Sequence, residues 1–268
     1  MLDIIKRQIK LGLSEEEKVN QVREFLQIVI LKIIYDLGLF KNIVFTGGTA
    51  LRIIYGLRRY SEDLDFSLVN KKGYSFAHLG TGLKKELVDH YGFEVDFKSK
   101  GEKIVHSIDL RFNNLLFDLG LSSHKSEKLY VKIEIDSNPP VGGKTGLSLV
   151  NRDFVFTVTH FDLPSLFATK LHACFFRKYT KGRDIYDLIW YLGKKTMPNF
   201  ELLNNAVLQT THKELGITQE NLRDFLRDHI KKIDFSVAKK DVERFLVDKK
   251  ELDLFKKDIL LATIESKF

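Results

Sequence analysis

Asp63 and Asp65 stand two residues apart at the start of a run, Leu64-Asp-Phe-Ser-Leu68, that reads as a strand. Residues i and i+2 of a strand point to one face, so the two carboxylates lie side by side. Like charges that close repel strongly unless a cation sits between them. A hard divalent ion, Mg²⁺ or Mn²⁺, takes oxygen ligands of this kind and bridges carboxylates to phosphates. Two such ions about 4 Å apart clamp the attacking and leaving oxygens of a phosphoryl-type transfer. An isolated Asp-x-Asp is also a common pair of solvated surface acids, so the flanking residues decide.

Three groups of residues flank it. Gly47-Gly48-Thr49 follows the short apolar run Ile43–Phe45, which predicts strand, glycine turn and a helix over Ala50–Tyr55. Such a turn leaves backbone N–H groups free to approach phosphate, and Thr49 offers a hydroxyl or a cap. Ser61 falls two residues before Asp63, while Arg58 and Arg59 lie just upstream, placed either to neutralise a triphosphate or to face solvent. In Lys132-Ile-Glu134-Ile-Asp136 the charged residues share one face of a predicted strand and the apolar ones the other. Glu134 or Asp136 is therefore a candidate third carboxylate.

A further candidate comes later in the chain. Lys170 falls in the apolar stripe formed by Leu163, Leu166, Phe167, Leu171 and Cys174. A lysine there is costly unless its ammonium snorkels to solvent or meets a polar pocket. Lys181-Gly182 turns into a helix on which Asp184 and Asp187, three apart, are neighbours.

The elements that position these groups change character near residue 160. Before it, Ser14 caps a helix over residues 15–37, Phe76–His90 reads as a helix, and Phe93–Phe97, Lys103–Phe112, Leu129–Asp136 and Phe154–Thr159 read as strands. Asn138-Pro-Pro-Val-Gly-Gly reads as a loop. After residue 160 apolar residues recur at helical spacing, including Ile185, Leu188, Ile189 and Leu192, and residues 199–268 read as helical. Residues 1–160 and 161–268 are the two expected domains.

At 268 residues, with 44% hydrophobic and 29% charged residues, the chain is ordinary for a globular protein and unlike a disordered one. Its one cysteine, Cys174, excludes an intrachain disulfide. The N-terminus carries no signal-peptide pattern, and the apolar stretch Ile28–Leu37 is broken by Lys32 and Asp36, so no membrane span and a cytoplasmic location are expected. Net charge is +7 and the pI about 9.2, which favours polyanionic partners. Seven cations (Lys170, Arg177, Lys178, Lys181, Arg183, Lys194, Lys195) against Asp184 and Asp187 give residues 163–195 a net +5.

Taken in order, Thr-Gly-Gly-Thr-Ala-Leu-Arg, Arg-Arg-Tyr-Ser-Glu-Asp-Leu-Asp-Phe, Lys-Ile-Glu-Ile, Ala-Thr-Lys-Leu-His-Ala and Arg-Asp-Ile-Tyr-Asp-Leu resemble the AbiEii/AbiGii nucleotidyltransferase toxins, a branch of the DNA polymerase beta-like superfamily, over roughly residues 40–195. The resemblance implies an α+β fold: a nucleotidyltransferase-like mixed sheet with flanking helices, followed by a C-terminal helical bundle that contributes Lys170 and Asp184 to the site. It implies Gly47, Gly48 and Thr49 over the phosphates and Asp63 and Asp65 as metal ligands. Ser61 and Arg58 fall near the nucleotide, Ser61 matching a serine that some relatives modify. Lys170 matches a lysine on the triphosphate, and Asp184 a late acidic residue that orients Lys170 or acts as a base. NMP transfer from an NTP to RNA, above all tRNA, by a toxin with a cognate antitoxin follows as the expected activity. The alternatives are transfer to a protein or small molecule, and a non-catalytic basic nucleic-acid- or partner-binding module.

Overall fold

A computed structural model describes residues 1–177, 181–194 and 196–268; Lys178 and Lys195 of the basic stretch lie outside the described residues. The chain divides into two compact units: residues 1–55, 60–139 and 147–160, and residues 56–59, 140–146 and 161–268.

The first unit holds α1 (Leu2–Gln8), α2 (Glu15–Asp36), β1 (Ile43–Thr46), α3 (Gly47–Tyr55), β2 (Asp63–Leu68), α4 (Phe76–Lys85), β3 (Val95–Lys100), β4 (Val105–Phe112), α5 (Leu115–Asp118), β5 (Leu129–Asp136) and all but the end residues of β6 (Thr145–Asn151) and β7 (Val155–Phe161). The strands form one mixed sheet in the order β3-β4-β5-β2-β1-β7-β6. β2 runs antiparallel to β1 and parallel to β5, and β1 runs parallel to β7.

Helix α2 starts at a reciprocal cap. The Glu17 amide donates to Ser14 Oγ at 3.3 Å, and the Ser14 amide donates to Glu17 Oε2 at 2.9 Å. A cap of this type stabilises a helix by about 1 kcal/mol. Phe25, Leu26, Ile28, Val29, Ile30, Leu31, Ile33 and Ile34 are buried where α2 packs on β5 and α4. Period-two alternation then splits the sheet into two faces. Leu64, Phe66, Val131, Ile133, Ile135, Ile108 and Leu110 are buried in the core, while Asp63, Asp65, Lys132, Glu134 and Asp136 on the other face are half-buried.

Several expected elements are displaced. The glycines do not form a separate turn: α3 begins at Gly47, whose φ of +75° lets the chain bend straight from β1 into the helix. The predicted helix Phe76–His90 is regular to Lys85 and finishes as a π-turn over Glu86–His90. β3 lies at Val95–Lys100 rather than Phe93–Phe97. Strand β6 was not expected. Leu147 and Leu149, 69% and 62% exposed, point outward, so its hydrophobic pattern does not mark a core strand.

The second unit is helical: α6 (Leu163–Phe176), α7 (Gly182–Leu192), α8 (Phe200–Thr211), α9 (Leu222–Ile230), α10 (Phe235–Val242) and α11 (Lys257–Lys267). α6 packs on α7 and α8, α7 on α10 and α11, and α9 on α11. Asp162 caps α6 by accepting from the Ser165 amide at 2.9 Å. Gly182 opens α7 against α10: a β-carbon there would collide with the Ala238 carbonyl, and the Gly182 amide donates to Asp241 Oδ2 at 2.6 Å. No helix among the described residues is long and apolar enough to cross a membrane.

Candidate active site

Register brings the acidic residues of the first unit together. Asp65 stands opposite Glu134 across β2–β5, and opposite Thr46 across β1–β2. Asp63 stands opposite Lys132, and Asp136 opposite Ser67. Partners across a ladder share a face, so Asp63, Asp65, Glu134 and Asp136 all lie on the open face of the sheet. Lys132 stands opposite Asp109 of β4 and forms an ion pair with Glu134. That hydrogen bond to Glu134, with the added fields of Glu134, Asp109 and Asp63, raises the Lys132 pKa against partial burial.

The motif segments are tied to this face at the backbone. The Thr49 hydroxyl is fully buried and donates to the Asp63 carbonyl. Gln27 Nε2 donates to the Ser61 carbonyl at 3.0 Å, which secures the approach to β2. Gly47 lies against the Asp65 carboxylate so closely that a β-carbon would overlap Oδ2 and stand 2.9 Å from the Asp65 Cβ.

In the second unit a lysine and two aspartates meet in the interior. Lys170 Nζ lies 2.8 Å from Asp184 Oδ1 and 2.8 Å from Asp187 Oδ2. Burial alone would lower the Lys170 pKa, but the two carboxylates outweigh it and raise the value. Burial would likewise raise the Asp184 carboxyl, yet Lys170 holds it down at about 2. Among the described residues Asp184 Oδ2 has no hydrogen-bond partner; Arg177 Nη1 stands 3.9 Å away. The Asp184 carbonyl accepts from the Cys174 thiol at 3.3 Å, and burial pushes that thiol well up.

The two arginines before β2 part company. Arg58 is exposed and pairs with Glu251 at 3.3 Å. Arg59 is 2% exposed and grips Asp187 through two bonds, Nε to Oδ1 and Nη2 to Oδ2, each 2.6 Å. From the sequence, Arg59 reads as either a phosphate or a surface arginine and Asp187 only as part of a helix start. The available signal was charge: Lys170 alone does not balance two buried carboxylates.

Charge also divides between the units. The segments of the second unit carry 23 Lys and Arg against 16 Asp and Glu; those of the first carry 20 against 20. The whole excess of +7 therefore belongs to the second unit.

The donor set of the first unit suits a hard divalent cation. It offers carboxylate oxygens on one face, with the Lys132 ammonium as the cation beside Glu134 and a glycine where any side chain would crowd Asp65. Among the described residues no three His, Cys, Asp or Glu side chains converge as a complete metal cage. Mg²⁺ is commonly held by one or two carboxylates completed by substrate phosphate and water, and that is the arrangement these residues fit.

Comparison with known proteins bears on the family and the fold. The family model described as "Nucleotidyl transferase AbiEii toxin, Type IV TA system" matches residues 29–257, well past the segment 40–195 that carries the short motifs. No curated protein matches. Two crystal structures of Helicobacter pylori proteins share the fold. One is 22% identical with a TM-score of 0.57, covering 91% of this chain and 94% of its own. The other, JHP933, is 22% identical with a TM-score of 0.55, covering 96% and 95%.

Proposed function

Because the chain belongs to the AbiEii family of nucleotidyl transferase toxins of type IV toxin–antitoxin systems, we propose that it transfers a nucleoside monophosphate from an NTP to an RNA acceptor, tRNA first among them. The observation that carries this reading is the register of β2 on β5, with Asp63 and Asp65 on one face and Glu134 opposite Asp65. Asp63 and Asp65 would hold Mg²⁺ or Mn²⁺, with Glu134 rather than Asp136 as third carboxylate. Bound there, a divalent ion neutralises triphosphate charge and lowers the pKa of the attacking hydroxyl.

The chain's own residues have the following parts. Gly47 keeps side chains away from Asp65, and Gly48 and Thr49 in the first turn of α3 present backbone N–H groups to phosphate. Thr49 also holds Asp63 in place through its carbonyl. Ser61 and Arg58 flank the nucleotide. Lys170 stabilises negative charge on the departing pyrophosphate. Asp184, with its pKa at about 2, has too little proton affinity for a general base and instead orients Lys170. The +7 of the second unit supports a polyanionic acceptor. An antitoxin partner follows from the family, and a cytoplasmic location suits an RNA substrate.

The test is incubation of the protein with Mg²⁺, each labelled NTP in turn, and total tRNA, with Asp63→Ala beside it. Label entering RNA with wild type alone is the expected result and names the nucleotide. Label in the protein itself, or in no acceptor with any NTP, rules out RNA transfer.

A further inference from the structure

Four charged side chains alternate in sign through the interior of the second unit: Arg59, Asp187, Lys170 and Asp184, with exposures of 2%, 0%, 8% and 4%. Asp187 is the shared link. Its Oδ2 accepts from Arg59 at 2.6 Å and pairs with Lys170 at 2.8 Å. Arg59 and Lys170 are both cations, so any favourable effect of one on the other passes through Asp187. A planar guanidinium that grips both oxygens of a carboxylate fixes the plane of that carboxylate as well as its position.

An ammonium offers three N–H donors on a flexible stem and no acceptor, so its position is set by the anions around it. Asp184 Oδ1 accepts from the Lys170 ammonium at 2.8 Å, and Asp187 Oδ2 stands at the same distance as a second anion, so the ammonium is held between two fixed carboxylates. A buried ionic network of this kind adds little net stability over apolar residues of equal volume. Geometry is what it supplies.

We propose that Arg59 is a positioning residue for Lys170: by clamping Asp187 it fixes the second of the two carboxylates that aim the Lys170 ammonium. The inference rests on the reading of Lys170 as the triphosphate lysine. Among the described residues, Asp184 and Asp187 from α7, Arg59 from the segment before β2 and Cys174 from its own helix act electrostatically on Lys170.

The test uses the whole protein as wild type, as Lys170→Met and as the double variant Arg59→Met/Asp187→Leu. The double variant removes one charge of each sign, so the interior stays neutral and filled. Thermal unfolding is measured with steady-state transfer from Mg²⁺–NTP to total tRNA and with calorimetric binding of an α,β-methylene NTP. The double variant is expected to melt close to wild type while kcat falls roughly ten- to a hundredfold and KM for the NTP rises by a smaller but measurable factor. A double variant with wild-type kcat beside an inactive Lys170→Met overturns the positioning role and leaves that of Lys170 standing. Full activity in Lys170→Met overturns the reading of the lysine itself. If the double variant unfolds early, Arg59→Lys decides, since it keeps the charge and loses the two-point grip: an unchanged kcat there overturns the proposal. If wild type transfers nothing to tRNA, affinity for the methylene analogue replaces kcat, and an unchanged affinity in the double variant overturns the proposal.

Discussion

The Asp65 carboxylate occupies the space that a side chain on Gly47 would need. Gly47 has a φ of +75° and stands at the end of β1; Asp65 pairs with its neighbour Thr46 on the adjacent strand. The glycine thus serves two ends, turning the chain into α3 and leaving the Asp65 carboxylate unobstructed. Gly47→Ala meets both constraints at once: a left-handed backbone angle costs a non-glycine residue about 1–3 kcal/mol, and the new methyl must displace Asp65. Thermal unfolding should show the loss of stability, and transfer activity should fall further than the stability loss explains. Normal activity in the Gly47→Ala variant would mean that the Asp65 position is not critical.

The acidic face yields a ranking. Asp65 and Glu134 are direct partners across β2–β5, while Asp136 is one step along the same face beside Ser67. Glu134→Gln keeps shape and removes charge next to the proposed ion, and should lower kcat by about tenfold or more. Asp136→Asn should stay within about threefold of wild type, on the same scale. Titration of Mn²⁺ against each variant separates a ligand from a bystander, because only loss of a ligand raises the metal concentration needed for half-activity. The reverse ranking would move the third carboxylate to Asp136.

Much of this arrangement is written locally. Leu129–Asp136 alternates cleanly, so its strand and its charged face are legible, and Asp63 and Asp65 must share a face on any strand. The choice between Glu134 and Asp136 is not local. It depends on how β5 slides against β2, and a shift of two residues would exchange the two while leaving both patterns intact. Strand β6 escapes notice because Leu147 and Leu149 face outward. Arg59 escapes because adjacent arginines read equally as phosphate-neutralising or solvent-facing groups, and its partner Asp187 lies 128 residues away.

The buried charges of the second unit set a pH window. The Asp184 carboxyl falls from an ordinary 3.8 to about 2 in the folded chain. A carboxyl with a depressed folded pKa adds stability that is complete above its unfolded pKa and is lost as pH falls through the folded one. About 2 kcal/mol should therefore disappear between roughly pH 4 and pH 2. Lys170 has the opposite sense: its raised pKa gives stability present below the ordinary lysine value and lost only as pH climbs past it. Urea unfolding from pH 5 to pH 2 should show the acid loss in wild type. In Asp184→Asn the slope should flatten while baseline stability drops, because Lys170 loses one partner. An unchanged slope would place the acid-sensitive carboxylates elsewhere.

The C-terminal helix fastens the far end of α7. Lys267 Nζ donates to the carbonyls of Tyr191 at 2.8 Å and Leu192 at 3.2 Å, and to that of Lys194. The last carbonyls of a helix have no partners within it, and a cation there satisfies them and opposes the helix dipole. Asp184 and Asp187 occupy the first half of α7, three and six residues from Lys181 at its N-cap. Lys267→Met keeps the stem that packs on α7 and removes only the donor. It should cost about 1 kcal/mol, a drop in Tm of about 2–4 °C for a protein of this size. Because α7 is held at its other end by Asp241 on the Gly182 amide and by Arg59 on Asp187, KM for the NTP should not change. Differential scanning fluorimetry beside steady-state transfer kinetics checks both halves. A shifted KM would show that the two ends of α7 are coupled and that Lys267 supports the position of Lys170 as well as the helix.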